Sequence, residues 1–162
     1  MVHDQLSASQ ENYLEAILEL DGSGDGAHVS DIADHLQVRK ASVSGALRNL
    51  AGKNLVNYRP YDTVTLTRRG ERLARDVHQR HAILKDFLQN VLSVQEGEAN
   101  DTACRMEHVI SPAVLERFVA FIEFVRTCPR AGEDWIRRFS ERCGNPDQPR
   151  DCDGCVQELT SP

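Results

Sequence analysis

Residues 103–109 (ACRMEHV) bring together three side chains that can bind a metal ion. A thiol, a carboxylate and an imidazole stand at Cys104, Glu107 and His108, which are positions i, i+3 and i+4. In a helix these positions share one face. Such a mixed set suits Fe(II), Mn(II), Co(II), Ni(II) or Zn(II) better than Ca(II) or Mg(II). The motif alone leaves a second interpretation open, a buried cysteine beside a solvent-facing Glu-His pair.

Four more cysteines follow later in the chain, two of them in a CDGC motif. Four thiolates can hold a structural zinc ion tetrahedrally. Their spacing is irregular and the odd total of five cysteines argues against complete disulfide pairing, so an iron–sulfur cluster, redox-labile thiols and unligated cysteines remain alternatives. These residues are Cys128, Cys143, Cys152 and Cys155.

Positive charge is concentrated in one part of an acidic chain. Residues 38–80 contain ten lysines or arginines against three acids, a local charge of +7 in a chain whose formal net charge is −6. A nucleic-acid footprint is a property of one surface and not of the whole protein, so this segregation favours DNA binding. A solvated charged face is the alternative.

The elements that must position these residues begin with two predicted helices. Apolar residues at helical spacing predict a first helix over 7–20, with Ser7 or Ser9 as its N-cap. A glycine-rich segment, DGSGDG, ends it. A short second helix is predicted over 29–36, with Ser30 as its N-cap.

A third helix is predicted over 40–55, where Val43, Leu47 and Leu50 occupy positions i, i+4 and i+7. Its outward side is polar and basic. Two short helices joined by a tight turn, the second carrying such a face, are typical of a helix-turn-helix.

Two short β-rich runs follow at once. The runs at 56–59 and 64–67 flank a turn at 60–62 and predict a hairpin, and a helix-turn-helix followed by a hairpin is a winged helix. Thr67 is the expected cap of a long helix over 68–92.

The second half of the chain is also predicted to be helical. Helices are expected over 101–109 and 112–125, separated by a cap at Ser111, and another over 132–143. The run VLERFVAFIEFV is unusually apolar, which indicates a dimer interface, with the core of a small helical domain as the alternative.

These elements define a mainly α fold with an N-terminal winged helix-turn-helix domain, which includes a two-stranded wing, and a C-terminal helical metal-binding and dimerisation domain. The expected domain limits are 1–70, 71–127 and a cysteine-containing extension over 128–162. The chain has no apolar run of about 18 residues for a membrane span and no signal-peptide pattern, so we expect a cytoplasmic protein.

Five motifs over about residues 7–126 resemble, in order and spacing, the diphtheria toxin repressor and manganese transport regulator family of metal-dependent winged-helix regulators. They are ENYLEAI, VSDIADHLQV with VSGALRNLAGKNLV, VTLTRRGERLA, QRHAILKDFL and ACRMEHVIS. The resemblance implies a homodimeric repressor of metal-homeostasis genes that binds operator DNA, and neither an enzyme nor a binder of a small-molecule substrate.

The resemblance also implies a ligand set drawn from three helices. These ligands are Glu15, His81, Cys104, Glu107 and His108, together with Asn12, whose neutral amide oxygen is a weak ligand. The ion would tie the first helix, which packs on the helix-turn-helix, to the dimerisation unit. Binding would thereby fix the distance between the two DNA-reading helices of a dimer at the roughly 34 Å between successive major grooves.

Three positions depart from the pattern of the family. Asn12 stands where relatives have Asp or Met, Lys85 where iron-type relatives have a carboxylate, and Asn100 where those relatives have a ligand histidine. We therefore expect one activating metal per chain. Cys104 favours Fe(II) over Mn(II), because manganese-type members have a carboxylate there, and His78 is interpreted as a surface residue.

The residues expected to contact DNA lie on the third helix, the wing and the start of the long helix. Arg39 or Arg48 could contact guanine in the major groove, while the wing and long-helix residues would contact phosphate or the minor groove. The full set is Arg39, Lys40, Ser42, Ser44, Arg48, Arg59, Tyr61, Arg68 and Arg69. The alternative to a metal-dependent repressor is a winged-helix regulator that senses thiol oxidation or a small molecule.

Overall fold

The computed structural model describes residues 6–22, 26–127, 136, 137, 139 and 141. Its elements confirm the predicted fold class, mainly helical with a two-stranded wing. The elements are α1 (Ala8–Leu20), α2 (Val29–His35), α3 (Lys40–Gly52), β1 (Val56–Asn57), β2 (Thr65–Leu66), α4 (Arg68–Asp86) with a π-helical turn (Phe87–Val91), α5 (Glu96–Met106) and α6 (Pro112–Thr127). No helix in these ranges is long and apolar enough to span a bilayer.

A capping box fixes the start of α1. The Ser7 hydroxyl accepts from the backbone N–H of Gln10 at 3.3 Å, and the Gln10 amide oxygen accepts from the N–H of Ser7 at 3.2 Å. The same Gln10 side chain donates to Asn49 Oδ1 of α3 at 2.7 Å. The first turn of α1 is therefore attached directly to α3.

Helices α2 and α3 form the predicted helix-turn-helix. Val43, Leu47 and Leu50 are fully buried, as their spacing predicted. The N-cap predicted for α2 was wrong: α2 begins after His28, and the Ser30 hydroxyl lies inside the first turn, where it donates to Asp31.

The wing strands are shorter than the predicted runs at 56–59 and 64–67. Only two residue pairs are in register, Val56 with Leu66 and Asn57 with Thr65. The connecting loop contains Pro60, which has no N–H to donate, and Tyr61, whose positive φ of 71° does not belong to a strand.

The start of α4 packs closely against the end of the helix-turn-helix. Thr67 caps α4 by accepting from the N–H of Gly70 at 3.1 Å, and its own backbone N–H donates to the carbonyl of Leu55. A Cβ atom at Gly70 would lie 1.9 Å from that carbonyl oxygen. Only glycine allows this approach.

The described residues form two compact units, one within 1–82 together with 105–109, and the other within 83–104 and 110–162. The core of the first unit joins α1, α2, α3 and the wing, with Leu14, Ile17, Ile32 and Val64 fully buried.

In the second unit, Phe87 packs edge-on against Phe118 at a centroid distance of 4.7 Å, and Ser111 caps α6 as predicted. Helix α5 begins at Glu96 and ends at Met106, so the predicted helix over 101–109 was misplaced at both ends. The helix predicted over 132–143 falls largely outside the described residues.

Candidate metal centre and nucleic-acid interface

His81 and Glu107 meet in a short contact at the candidate metal centre. His81 projects from α4, and its Nδ1 atom lies 2.7 Å from Glu107 Oε2 in the turn that follows α5. The contact fixes one oxygen of the Glu107 carboxylate. The other oxygen, Oε1, remains available.

Two buried atoms beside this contact lack hydrogen-bond partners. Glu107 Oε1 and His108 Nε2 lie 3.2 Å apart, and neither has a partner among the described residues. Buried polar atoms are almost always satisfied, so such a pair needs an explanation. Two atoms that bind one metal ion at about 2.1 Å and at right angles lie about 3 Å apart, and the observed separation fits a shared cation.

Cys104 belongs to the same group of ligand atoms. The thiol, the Glu107 carboxylate and the His108 imidazole offer atoms that all lie within 4.8 Å of one another. The three residues follow one another along one turn of chain, so their proximity is a local property of this segment. This donor set fits a borderline transition metal.

The electrostatics of Glu107 also favour a cation. Burial raises the pKa of this carboxyl above the usual range of glutamate, and the negative charge of Glu15 raises the pKa further. The hydrogen bond and charge of His81, and the charge of His108, act in the opposite direction. A bound cation would stabilise the ionised carboxylate that the buried position disfavours.

The α1 residues predicted as ligands lie at this centre in different ways. Asn12 Oδ1 is buried and has no hydrogen-bond partner among the described residues. This is the environment that we expect for a weak metal ligand. Glu15 lies close enough to raise the pKa of Glu107, but its Oε1 atom faces His78 at 3.4 Å.

Sequence reasoning missed Glu11. Its Oε2 atom lies 2.7 Å from Nδ1 of His108, and its Oε1 atom accepts from Arg80 at 2.9 Å. With Nδ1 occupied, His108 turns Nε2 toward Glu107. The i, i+4 spacing from Glu11 to Glu15 on one face of α1 was the signal that could have identified it.

Lys85 is one of the positions that depart from the pattern of the family, and its surroundings argue against an additional metal ion there. Its ammonium group lies 3.4 Å from Glu96 Oε1, and a positive charge there disfavours a cation.

The four predicted zinc ligands Cys128, Cys143, Cys152 and Cys155 lie outside the described residues, and the zinc site remains a prediction.

The outer side of α3 is the candidate nucleic-acid interface. Lys40, Ser42 and Arg48 are exposed, Ser44 is half-buried, and the Arg48 side chain donates to the Ser44 carbonyl. Arg39 precedes α3 and is also exposed.

The wing and the start of α4 add further exposed groups. Tyr61 is fully exposed in the wing loop with a positive φ of 71°, and Arg59 beside it is exposed. Arg68 and Arg69 are exposed at the start of α4. The predicted DNA-contacting residues are therefore accessible on the first unit.

Two family models match most of the chain. One, described as the N-terminal DNA-binding domain of iron-dependent repressors, matches residues 5–64. The other, described as the metal-binding and dimerisation domain of iron-dependent repressors, matches residues 67–136.

Individual relatives agree with these matches. An HTH-type transcriptional regulator of Methanocaldococcus jannaschii is 33% identical over 119 residues, which cover 73% of this chain and 95% of that protein. The transcriptional regulator MntR of Salmonella typhimurium is 34% identical over 113 residues, or 70% of this chain and 71% of that protein.

Solved structures share the fold. A manganese-dependent transcriptional repressor in complex with manganese superposes with a TM-score of 0.65 at 31% identity, covering 71% of this chain and 53% of that one. The manganese regulator SloR gives a TM-score of 0.64 at 28% identity over 74% of this chain and 56% of that one. The chain thus spans little more than half the length of these solved structures.

Proposed function

The chain belongs to the iron-dependent repressor family, and from that membership we propose that it represses transcription of metal-homeostasis genes by binding operator DNA when a divalent metal is bound. The observation that supports this proposal most directly is the pair of buried atoms, Glu107 Oε1 and His108 Nε2, 3.2 Å apart and without hydrogen-bond partners among the described residues.

The proposed activating metal is Fe(II) or Mn(II). Cys104 favours iron on the grounds of ligand softness, although metal availability also decides which ion occupies such a site. The ion supplies positive charge and coordination bonds that hold side chains in place. The side chains that would hold it are His81, Cys104, Glu107 and His108, with Glu15 and the weaker ligand Asn12.

Within the first unit, α1 connects this centre to the DNA-reading helix. One side of α1 carries Asn12 and Glu15, while Leu14 and Ile17 pack into the core that also contains Val43 of α3. A cation that fixes α1 would therefore restrict α3 as well. Metal and DNA should strengthen each other's binding reciprocally, by about 1 to 3 kcal/mol.

The proposed partner arrangement is a homodimer on double-stranded DNA, and the apolar face of α6 supports it. Val114, Phe121 and Phe124 are 47%, 41% and 55% exposed in the single chain. Large exposed apolar groups on one helix are typical of a protein interface. Each half of the dimer would place α3 in one major groove.

The buried centre favours coordination over catalysis. A basic DNA-reading helix and a wing have no role in a small hydrolase, and Cys104, Glu107 and His108 are all assigned to the metal ion. We therefore propose neither an enzymatic activity nor a small-molecule substrate, and we place the protein in the cytoplasm, where its DNA target would be.

Fluorescence anisotropy of a labelled promoter duplex, titrated anaerobically with the full chain, tests the proposal. Fe(II) or Mn(II) should tighten binding, a chelator should reverse the effect, and peroxide should not replace the metal. DNA binding that does not depend on metal and that changes on thiol oxidation would contradict the proposal and favour a thiol sensor.

A further inference from the structure

A second group of potential ligands lies on the first unit. It contains two carboxylates from α1 and one imidazole from each of α2 and α4. Glu15 and Glu19 are four residues apart on one side of α1, so both carboxylates leave the helix in the same direction. Three members, Glu15, Glu19 and His78, offer ligand atoms that all lie within 4.8 Å of one another, and His35 joins them through its contact with Glu19. We call these four residues the histidine cluster.

The separations between these ligand atoms fit a shared cation. His78 Nδ1 lies 3.4 Å from Glu15 Oε1 and 3.7 Å from Glu19 Oε1, and the three groups offer atoms within 4.8 Å of one another. His35 Nε2 lies 3.2 Å from Glu19 Oε2. These contacts are longer than charge-assisted hydrogen bonds of about 2.7 to 2.9 Å.

The charge of the histidine cluster also attracts a cation. Among the residues that the structure describes, neither Glu15 nor Glu19 has a lysine or arginine within salt-bridge distance. The neighbouring Arg75 is paired with Glu71 at 2.7 Å. Among the described residues, these two carboxylates are therefore faced by imidazoles and by no lysine or arginine.

Solvent reaches this cluster. The side chains of Glu19 and His35 are each 40% exposed and that of His78 is 54% exposed. Glu19 and His78 also line a surface cavity of about 580 Å³. Water can complete a coordination sphere there, so the ion would exchange more readily than one held at Glu107.

We propose that the histidine cluster binds a second divalent transition-metal ion through two imidazoles and two carboxylates. This nitrogen and oxygen donor set suits Zn(II), Co(II) or Ni(II). The site goes beyond the proposed function, because Glu19, His35 and His78 are not assigned to the activating ion, and Glu15 would be a carboxylate shared by the two sites. An ion there fastens α2, the first helix of the helix-turn-helix, to α1 and α4.

Cobalt provides the first test, because thiolate ligation can be distinguished by its optical spectrum. The full chain, metal-free and reduced, is titrated with Co(II) under anaerobic conditions while bound cobalt is counted. A thiolate-bound ion gives a near-ultraviolet charge-transfer band, whereas an ion held by nitrogen and oxygen gives only weak visible bands. Wild type should bind a weaker cobalt ion that adds visible absorption without adding to the charge-transfer band.

Variants assign that weaker ion to the cluster. His35→Ala, His78→Ala and Glu19→Gln should each lose it and retain the thiolate band. His28→Ala, which removes an exposed histidine at the start of α2, is the matched control and should keep both ions. Equal cobalt counts in wild type and all three variants would overturn the proposal, as would loss of the thiolate band together with the weaker ion.

A measurement on the wild-type protein avoids dependence on the folding of variants. Zn(II) added beyond the first equivalents should shift the imidazole resonances of His35 and His78 in NMR spectra and leave those of His28 in place. Unchanged His35 and His78 resonances at saturating Zn(II) would refute the site.

Discussion

Glu11 Oε2 lies 2.7 Å from Nδ1 of His108, although the two residues are 97 positions apart in sequence. The contact joins the first turn of α1 to the turn that follows α5, and Arg80 holds the other oxygen of the carboxylate. A histidine that accepts or donates at Nδ1 has its ring orientation and tautomer fixed, so Nε2 is presented as a ligand.

Glu11 should therefore contribute to metal affinity without binding the ion. Removing the partner of a ligand histidine weakens metal binding by about 10- to 100-fold, and we expect a loss of this size for Glu11→Ala. Glu11→Gln keeps an acceptor oxygen and should recover part of the affinity. Competition with a metal-binding dye measures both, and Glu98→Gln, at an exposed position in α5, is the control.

Glu107→Gln should abolish stabilisation by metal and leave the fold intact. Burial raises the pKa of Glu107, so the ionised form is disfavoured by folding, and the neutral amide removes that cost. The metal-free variant should unfold at the same or a higher temperature than wild type. In wild type, metal at about 100 times its Kd should add about 2.7 kcal/mol, a rise in Tm of about 5 to 10 °C. A similar rise in the variant would show that Glu107 is not a ligand.

Arg48→Ala should weaken DNA binding without changing metal affinity in the absence of DNA. A guanidinium that contacts guanine contributes about 1 to 3 kcal/mol of discrimination, so affinity should fall by about 5- to 150-fold. Anisotropy with the operator duplex measures the loss. Arg75→Ala, which removes an arginine paired with Glu71 on α4, should bind DNA as wild type does.

Phe124→Asp should convert the protein to a monomer. The side chain is 55% exposed in the single chain, and a carboxylate at the centre of an apolar interface would be buried without a partner. Sedimentation velocity checks the oligomeric state. Val38→Asp places the same charge at a 40% exposed valine near the helix-turn-helix, where we expect no effect on assembly.

Gly70→Ala should destabilise the first unit. The added methyl group would lie 1.9 Å from the Leu55 carbonyl oxygen, and forcing such an atom into a packed position costs about 1 to 3 kcal/mol or more. Urea unfolding measures the change. Gly97→Ala in α5 meets nothing within 4 Å, and its stability should stay the same or rise by up to about 1 kcal/mol.

Local patterns predicted the helices that have strong apolar spacing. The buried set Val43, Leu47 and Leu50 identified α3, and Thr67 identified the start of α4. The start of α5 was placed too late because its first turn is polar, although Glu96 and Glu98 there favour a helix N-terminus electrostatically.

Long-range contacts explain what sequence reasoning missed at the site. Cys104, Glu107 and His108 are neighbours in the chain, and their proximity could be inferred from spacing alone. The contacts from Glu11 to His108 and from His78 to Glu15 depend on how three helices pack, which periodicity does not specify. Assigning His81 required the resemblance to a known family.

Gln10 stands directly before Glu11 in the first turn of α1, and it donates to Asn49 of the DNA-reading helix at 2.7 Å. Coupling between the bound ion and α3 therefore need not pass through the apolar core. It can pass through the adjacent side chains of Glu11 and Gln10 to Asn49. Side-chain motions take picoseconds to nanoseconds, whereas domain motions take microseconds to milliseconds. We expect the speed of the response inside this unit to be limited by the arrival of the ion.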